Sequence, residues 1–430
     1  MFRSLRAANL STPALFALAV TLFPSTAQAK KKPAPAGPPP VRATLPPSAT
    51  IPVAPLGFAA PGDFYLGTRQ AIASLDFLDE DHLLFTFRVP GLFHRDHYGE
   101  PAETERHIRA VVLNISDGAV QSEALWTVHD RARYLYMLDN GQFAFRDRDT
   151  LQIGDASLQP RPWLHFPGAL LYIEFDPTLQ YLVASSREPE SAQPKPDEVP
   201  SPSAAQASVT SDDALPASVS DNSKPEVVLR ILSRSSGKVM LVSRYRSVMH
   251  VPLNADGYLE TLRGRGGQWV LNLDYFTGGT TRVGAVDSTC LPSLNFLSER
   301  EFIATACAAS GANWLVAFTT DGRMLWQSSS TDTIIWPLLL TSRNGARVAH
   351  EALQASHPVS ATLPFSNTDI ESQQVTVYDA ATGKQVLHAT TGPILDAGGN
   401  VALSPSGRRA AVLMDGNIQI FDLGEAPPAP

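Results

Sequence analysis

The chain has 430 residues, 43% of them apolar, and a formal charge of −8: enough apolar material for a large core, and the wrong sign for nucleic acid or anionic membrane surfaces as partners. Its two cysteines, Cys290 and Cys307, exclude a disulfide-dense scaffold and leave room for one bridge in an oxidising compartment.

The chain opens as a secretory leader. Arg3 and Arg6 precede the 11-residue apolar run Pro13–Phe23, and Ala27-Gln28-Ala29 fits the small-x-small cleavage pattern. A membrane span needs about 20 apolar residues, so residues 1–29 are read as a signal peptide, cleaved or retained as an anchor, with no membrane insertion once it is removed. Losing Arg3 and Arg6 takes the formal charge from −8 to −10. Lys30–Pro61 carries ten prolines in 32 residues and one large aromatic, Phe58, and reads as a disordered tether. Arg187–Pro225 has seven prolines in 39 residues and no aromatic, too little apolar area to offset its ordering entropy.

Elsewhere, short apolar runs alternate with Asp-Gly, Ser-Gly and Thr-Gly turns, an all-β pattern. Five hairpins share one shape, with turn glycines at Gly118, Gly237, Gly279, Gly322 and Gly383. The spacings of 42 and 43 residues from Gly237 to Gly279 to Gly322 match four-stranded propeller blades. The 119 residues from Gly118 to Gly237 hold two blades plus the 187–225 segment, which is therefore an insertion within blade three. The expected architecture is a single seven-bladed β-propeller over residues 62–424, followed by a disordered tail, 425–430. Blade seven, "NVALSPSGRRAAVLMDGNIQIFDLG", has only three strands. The short run Gly62–Thr68 is expected to supply the fourth, with Phe64–Gly67 pairing Ile418–Phe421 and closing the ring.

At "SPSGRRAAVLMDGNIQIFDLG" and "VTVYDAATGKQVLHATTG" the chain resembles WD-repeat and YVTN-type β-propellers, with Tyr378-Asp379 and Phe421-Asp422 at the Trp-Asp position. The resemblance implies the fold, and interaction or scaffolding as the commonest role.

Candidate chemistry concentrates in "LFHRDHYGEPAETERH", Leu92–His107. His94, Asp96, His97 and His107 share one segment with Glu100, Glu103 and Glu105, ligand types that suit a divalent transition metal or a partner-binding loop. No third ligand stands at a diagnostic spacing, so no metal or cofactor is assigned, and a solvated polar loop is the plain alternative. The charges of Arg146 to Asp149 alternate as on an exposed edge. The tryptophans Trp126, Trp163, Trp269, Trp314, Trp326 and Trp336 fall in or beside strands, as packing between blades requires. A hairpin turning at Ser298-Glu299 would set Cys290 opposite Cys307, within bridging distance; two buried thiols are the alternative. Three insertions, Leu92–His107, Arg187–Pro225 and about Gln354–Glu371, all fall between strands b and c of their blades and so share one face. The expected function is a secreted, non-enzymatic binding or scaffold module of the cell envelope, periplasmic or extracellular, taking a protein or small-molecule ligand. The rival is a lactonase-like propeller hydrolase with a polar site at the channel mouth.

Overall fold

The period-two runs and glycine turns give seven antiparallel sheets, none of them shared between distant parts of the chain except one. The computed structural model describes residues 43–89, 106–129, 132–188, 227–359 and 366–425. Naming strands a to d from the centre outward, blade one is Ala73–Phe77, His82–Arg88, Arg106–Asn114 and Val120–Val128. Blade two is Leu135–Met137, Phe143–Asp147, Thr150–Gly154 and Arg161–His165. Blade three is Ala169–Phe175, Tyr181–Arg187, Val227–Ser233 and Val239–Tyr245. Blade five is Ser293–Phe296, Glu301–Cys307, Asn313–Thr319 and Met324–Ser329; blade six is Ile334–Thr341, Arg347–Ala355, Ile370–Asp379 and Gln385–Thr391.

Each pair of neighbouring blades encloses its own apolar cluster. Leu84, Ile108 and Trp126 of blade one meet Phe143 and Phe145 of blade two. Further clusters join blades two and three, three and four, four and five, five and six, and six and seven. The last joins Ala411, Leu413, Ile418 and Ile420 of blade seven to Leu75, Phe85 and Val111 of blade one. The blades thus form a ring of seven. Trp126, Trp163, Trp269, Trp314 and Trp326 all sit in these clusters, as the sequence suggested.

The ring is closed by an N-terminal strand, but not the one expected. Blade seven is Val401–Leu403, Arg409–Met414, Asn417–Asp422 and, outermost, Ala49–Pro52, with Ala49 opposite Ile420 and Ile51 opposite Ile418. Gly62–Thr68 instead holds a 3₁₀ turn, Asp63–Tyr65, and its Leu66 carbonyl accepts the Asn367 side-chain amide at 2.6 Å. The boundary at residue 62 is corrected accordingly. From Ala43 onward the segment read as tether belongs to the propeller: the Thr44 N–H donates to the His388 carbonyl of blade six, the Ser48 N–H to Ile420 of blade seven, and Phe58 packs edge-on to Phe85 and Phe87 of blade one. One short segment ties three blades. Proline at its end is tolerated because an outermost strand pairs on one side only.

Blade four also departs from the expected four strands. Its sheet holds Gly257–Arg263, Gln268–Tyr275 and Thr280–Asp287, and the innermost place is taken by an irregular segment with one bridge, Leu253 to Tyr258. Pro252 has no N–H to give a ladder there. Strands b and c of this blade are joined by the turn between Arg263 and Gln268.

Cys290 and Cys307 are joined by a disulfide with their Cα atoms 5.5 Å apart. The register that suggested it is off by one residue. Ser293 faces Thr305 and Phe296 faces Phe302, so the turn is Leu297–Arg300 and Cys290 lies before strand a rather than in it. Ser288 makes up the difference: its hydroxyl donates to the Cys290 carbonyl (2.7 Å) and accepts the Cys307 N–H (3.0 Å). A bridge closing a loop of this size contributes about 3 kcal/mol.

The hairpin that carries the WD-repeat resemblance is built around Asp379. One carboxylate oxygen accepts the Thr382 N–H and hydroxyl (3.1 and 3.0 Å), and the other takes Arg347 Nη1 at 2.5 Å. Gly383, at φ +68°, lies against Trp326 of blade five, where a Cβ would stand 2.5 Å from the indole. Only glycine meets both demands. Asp422, in the corresponding place of blade seven, is exposed and lies 3.6 Å from Arg409 Nε.

Candidate functional site: the central channel

The sheet order puts the described strand ends that flank all three insertions between strands b and c, on one face of the ring. His94, Asp96 and His97 lie outside the described residues. His107 does not belong to a loop: it is the second residue of strand c in blade one, where its carbonyl accepts the Val89 N–H at 2.9 Å. The alternating run at Arg146 is likewise no exposed edge, because Arg146 is 1% exposed and donates to the Leu170 carbonyl of blade three (3.3 Å). Among the described residues, no three His, Cys, Asp or Glu side chains gather as a metal-binding group.

The polar groups that do converge line the channel at the ring's centre, a cavity of about 1030 Å³ to which all seven blades contribute. Phe77, Phe175, Phe296, Leu338, Leu340 and Leu403 give it an apolar lining. Most of its carboxylates are occupied by the fold. Asp79 and Asp176 cap the a-to-b turns of blades one and three, Glu80 accepts the Ser406 N–H and hydroxyl, and Asp139 pairs with Arg234 at 2.8 Å. Asp76 and Glu174 cap no turn.

These two anchor an arc of side chains across blades one to four. Asp76 is 5% exposed, is hydrogen-bonded by the Ser74 hydroxyl, and lies 3.9 Å from Arg133 Nη2. Burial pushes its carboxyl up to about 6, against the opposing pull of Arg133 and Ser74. Arg133 lies over the Tyr136 ring (5.2 Å), and Tyr136 packs on Phe175 (6.2 Å). Glu174 Oε2 accepts both the Tyr172 hydroxyl and His250 Nε2 (2.9 Å), leaving Oε1 without a partner among the described residues. Burial disfavours the His250 imidazolium, but the hydrogen bond and charge of Glu174 outweigh it and raise its pKa. His250 belongs to the irregular segment of blade four, so this ion pair holds the one channel wall that lacks a strand.

Sequence reasoning missed these residues, although a signal existed. Leu75-Asp76-Phe77, Ile173-Glu174-Phe175 and Leu294-Asn295-Phe296 recur at the ends of three a-strands, and the middle residue of each lines the channel.

Asp76 supplies a pH test. Its folded pKa lies above the unfolded value, so its burial costs stability at pH above about 6 and nothing below about 4. Asp76→Asn should therefore stabilise by about 3 kcal/mol at pH 8 and leave stability unchanged at pH 4. Thermal melts at both pH values check this; the same increment at each would contradict the burial argument.

No protein-family model matches the chain, and no curated protein matches its sequence. Among solved structures it is similar to an acylaminoacyl peptidase of Pyrococcus horikoshii, at 12% identity and a TM-score of 0.45, over 84% of this chain and 54% of that one. The chain thus spans about half the length of that peptidase. It is also similar to the C-terminal WD40 domain of Sif2 (10% identity, TM-score 0.35, 84% of this chain and 98% of that one). A eukaryotic initiation factor matches at 11% identity and a TM-score of 0.32, over 82% and 76% of the two chains. Likeness this distant carries no functional argument. The propeller rests on this chain's own seven sheets.

Proposed function

We propose that this is an exported, non-enzymatic binding propeller that captures a small ligand in its central channel. The channel carries the reading: a volume of about 1030 Å³ with an apolar lining, and on its wall a carboxylate oxygen of Glu174 that the fold does not use. Ligand sites typically combine apolar walls with a few convergent polar groups in about 300–1,000 Å³. The leader at residues 1–29 and the Cys290–Cys307 bridge support export to an oxidising compartment. The test is native mass spectrometry of the purified protein after incubation with a small-molecule extract. A retained adduct that Glu174→Gln loses is the expected result; an adduct indifferent to that change would mean that Glu174 takes no part in capture.

One observation favours the hydrolytic alternative. The Glu174–His250 pair and the raised Asp76 set candidate proton-transfer groups in the channel. Turnover of a lactone or ester panel that His250→Gln abolishes would establish an enzyme, and binding without turnover a binding module.

A further inference from the structure

The a-to-b turn of blade six projects an arginine into the channel mouth from an unusually fixed base. Ser342 and Arg347 exchange hydrogen bonds, the Ser342 N–H to the Arg347 carbonyl and the Arg347 N–H to the Ser342 hydroxyl, both at 2.9 Å. Asn344 accepts the Ala346 N–H (3.0 Å) and donates its amide to the Ser406 carbonyl of blade seven (2.8 Å), while its own N–H reaches the Pro405 carbonyl (3.0 Å). Gly345, at φ +73°, comes so close to blade five that a Cβ would stand 2.6 Å from the Leu297 carbonyl oxygen. Blades five and seven thus clamp the backbone on which Arg343 sits.

The Arg343 guanidinium is half-buried, lines the channel, and has no hydrogen-bond or ion-pair partner among the described residues. Burial pushes its pKa down, and the charge of Arg234 adds to that; Asp139 and Asp176 act in the opposite direction without touching it. Both carboxylates are engaged elsewhere, Asp139 through one oxygen and Asp176 through both. Asp139 is held by Arg234 at 2.8 Å, and Asp176 accepts the Tyr181 N–H (2.6 Å), the Thr178 N–H (2.8 Å) and the Thr178 hydroxyl. An arginine keeps its proton under all physiological conditions, so an anionic acceptor brought to it would offset its partial desolvation.

We propose that Arg343 is the anion-binding residue of the channel, taking the carboxylate or phosphate group of a small molecule whose apolar body packs on Phe77, Phe175, Phe296 and Leu338. The guanidinium fork matches either group with two parallel hydrogen bonds. The rigid turn fixes the backbone from which the side chain reaches, so the ordering cost of binding is confined to the side chain itself. This inference rests on the channel-binding reading and specifies its chemistry.

Titration calorimetry of the full chain with 3-phenylpropionate, phenyl phosphate and the neutral 3-phenylpropanol tests it. At least one anion should bind saturably, the alcohol should not, and Arg343→Met should weaken that anion about tenfold or more without lowering the melting temperature. Arg343→Lys should fall between, having kept the charge and lost the fork. Carboxylate or phosphate is then identified by which probe binds. Failure of both anions to bind the wild type, or equal binding by Arg343→Met, overturns the proposal. If the adduct lost by Glu174→Gln survives in Arg343→Met, the anion assignment falls and the channel reading stands.

Discussion

Ile51→Ala should cost 2–5 kcal/mol, an effect out of scale for a residue in a proline-rich run near the start of the chain. Ile51 is 4% exposed, pairs with Ile418, and packs between blades seven and one, with its Cγ2 at 3.1 Å from the place a Cβ on Gly118 would occupy. Its strand is the fourth of blade seven, so what the side chain holds is the seam of the ring. Thr50, the preceding residue, faces solvent, and Thr50→Ala should change little. Removing residues 43–53 altogether should do more than either, because Asn417–Asp422 would become an exposed edge and the Thr44–His388 tie to blade six would go with it. Thermal unfolding of the three variants checks the order. If Ile51→Ala melts with the wild type, the seam does not depend on this side chain.

The ring's period was legible because each unit repeats a requirement that only certain residues meet. Gly118, Gly237, Gly279, Gly322 and Gly383 all have positive φ in c-to-d turns, so their spacing counts blades directly. The closing strand was not legible, because Ala49–Pro52 satisfies its pairing with Asn417–Ile420, at the other end of the chain. A composition rule sees Pro46, Pro47, Pro52 and Pro55 and reports a tether; a pattern rule sees Phe64 and Leu66 and reports a strand. Tertiary pairing overrode both. The cysteine pair shows a milder failure: proximity survived a one-residue error in register because Ser288 carries the chain around to strand b. For the channel the limit is different. Asp76 and Glu174 stand at recurring positions, but whether a carboxylate caps a turn, as Asp176 does, or is left over, as Glu174 Oε1 is, depends on hydrogen bonds that no spacing records. The Arg343 site has no sequence signal at all, since its content is the absence of a partner among the described residues.

The base of the blade-three insertion is pinned by a buried charge pair. Strand b ends at Arg187 and strand c begins at Val227. Between them, Glu188 is 1% exposed and faces Arg230, itself 8% exposed. Arg230 Nη2 donates to Glu188 Oε2 at 3.0 Å and Nη1 to Oε1, with the Ser186 hydroxyl donating to Oε1 at 2.5 Å and accepting from Nη1 at 3.2 Å. Bidentate geometry and a shared hydroxyl compensate both charges for their loss of water, so the pair itself adds little net stability. Losing one member is another matter. Glu188→Ala should destabilise by 3–5 kcal/mol, because Arg230 would remain charged and buried with no carboxylate. Arg230→Met should also destabilise, because Glu188 would lose the guanidinium that balances its buried charge. The double change Glu188→Leu with Arg230→Met removes both charges and should recover most of the loss, which separates an uncompensated charge from simple damage to packing. Melting temperatures of the three variants decide the matter. A double variant as unstable as either single one would mean that the pair's geometry, and not its charge balance, holds the two strands at the mouth of the insertion.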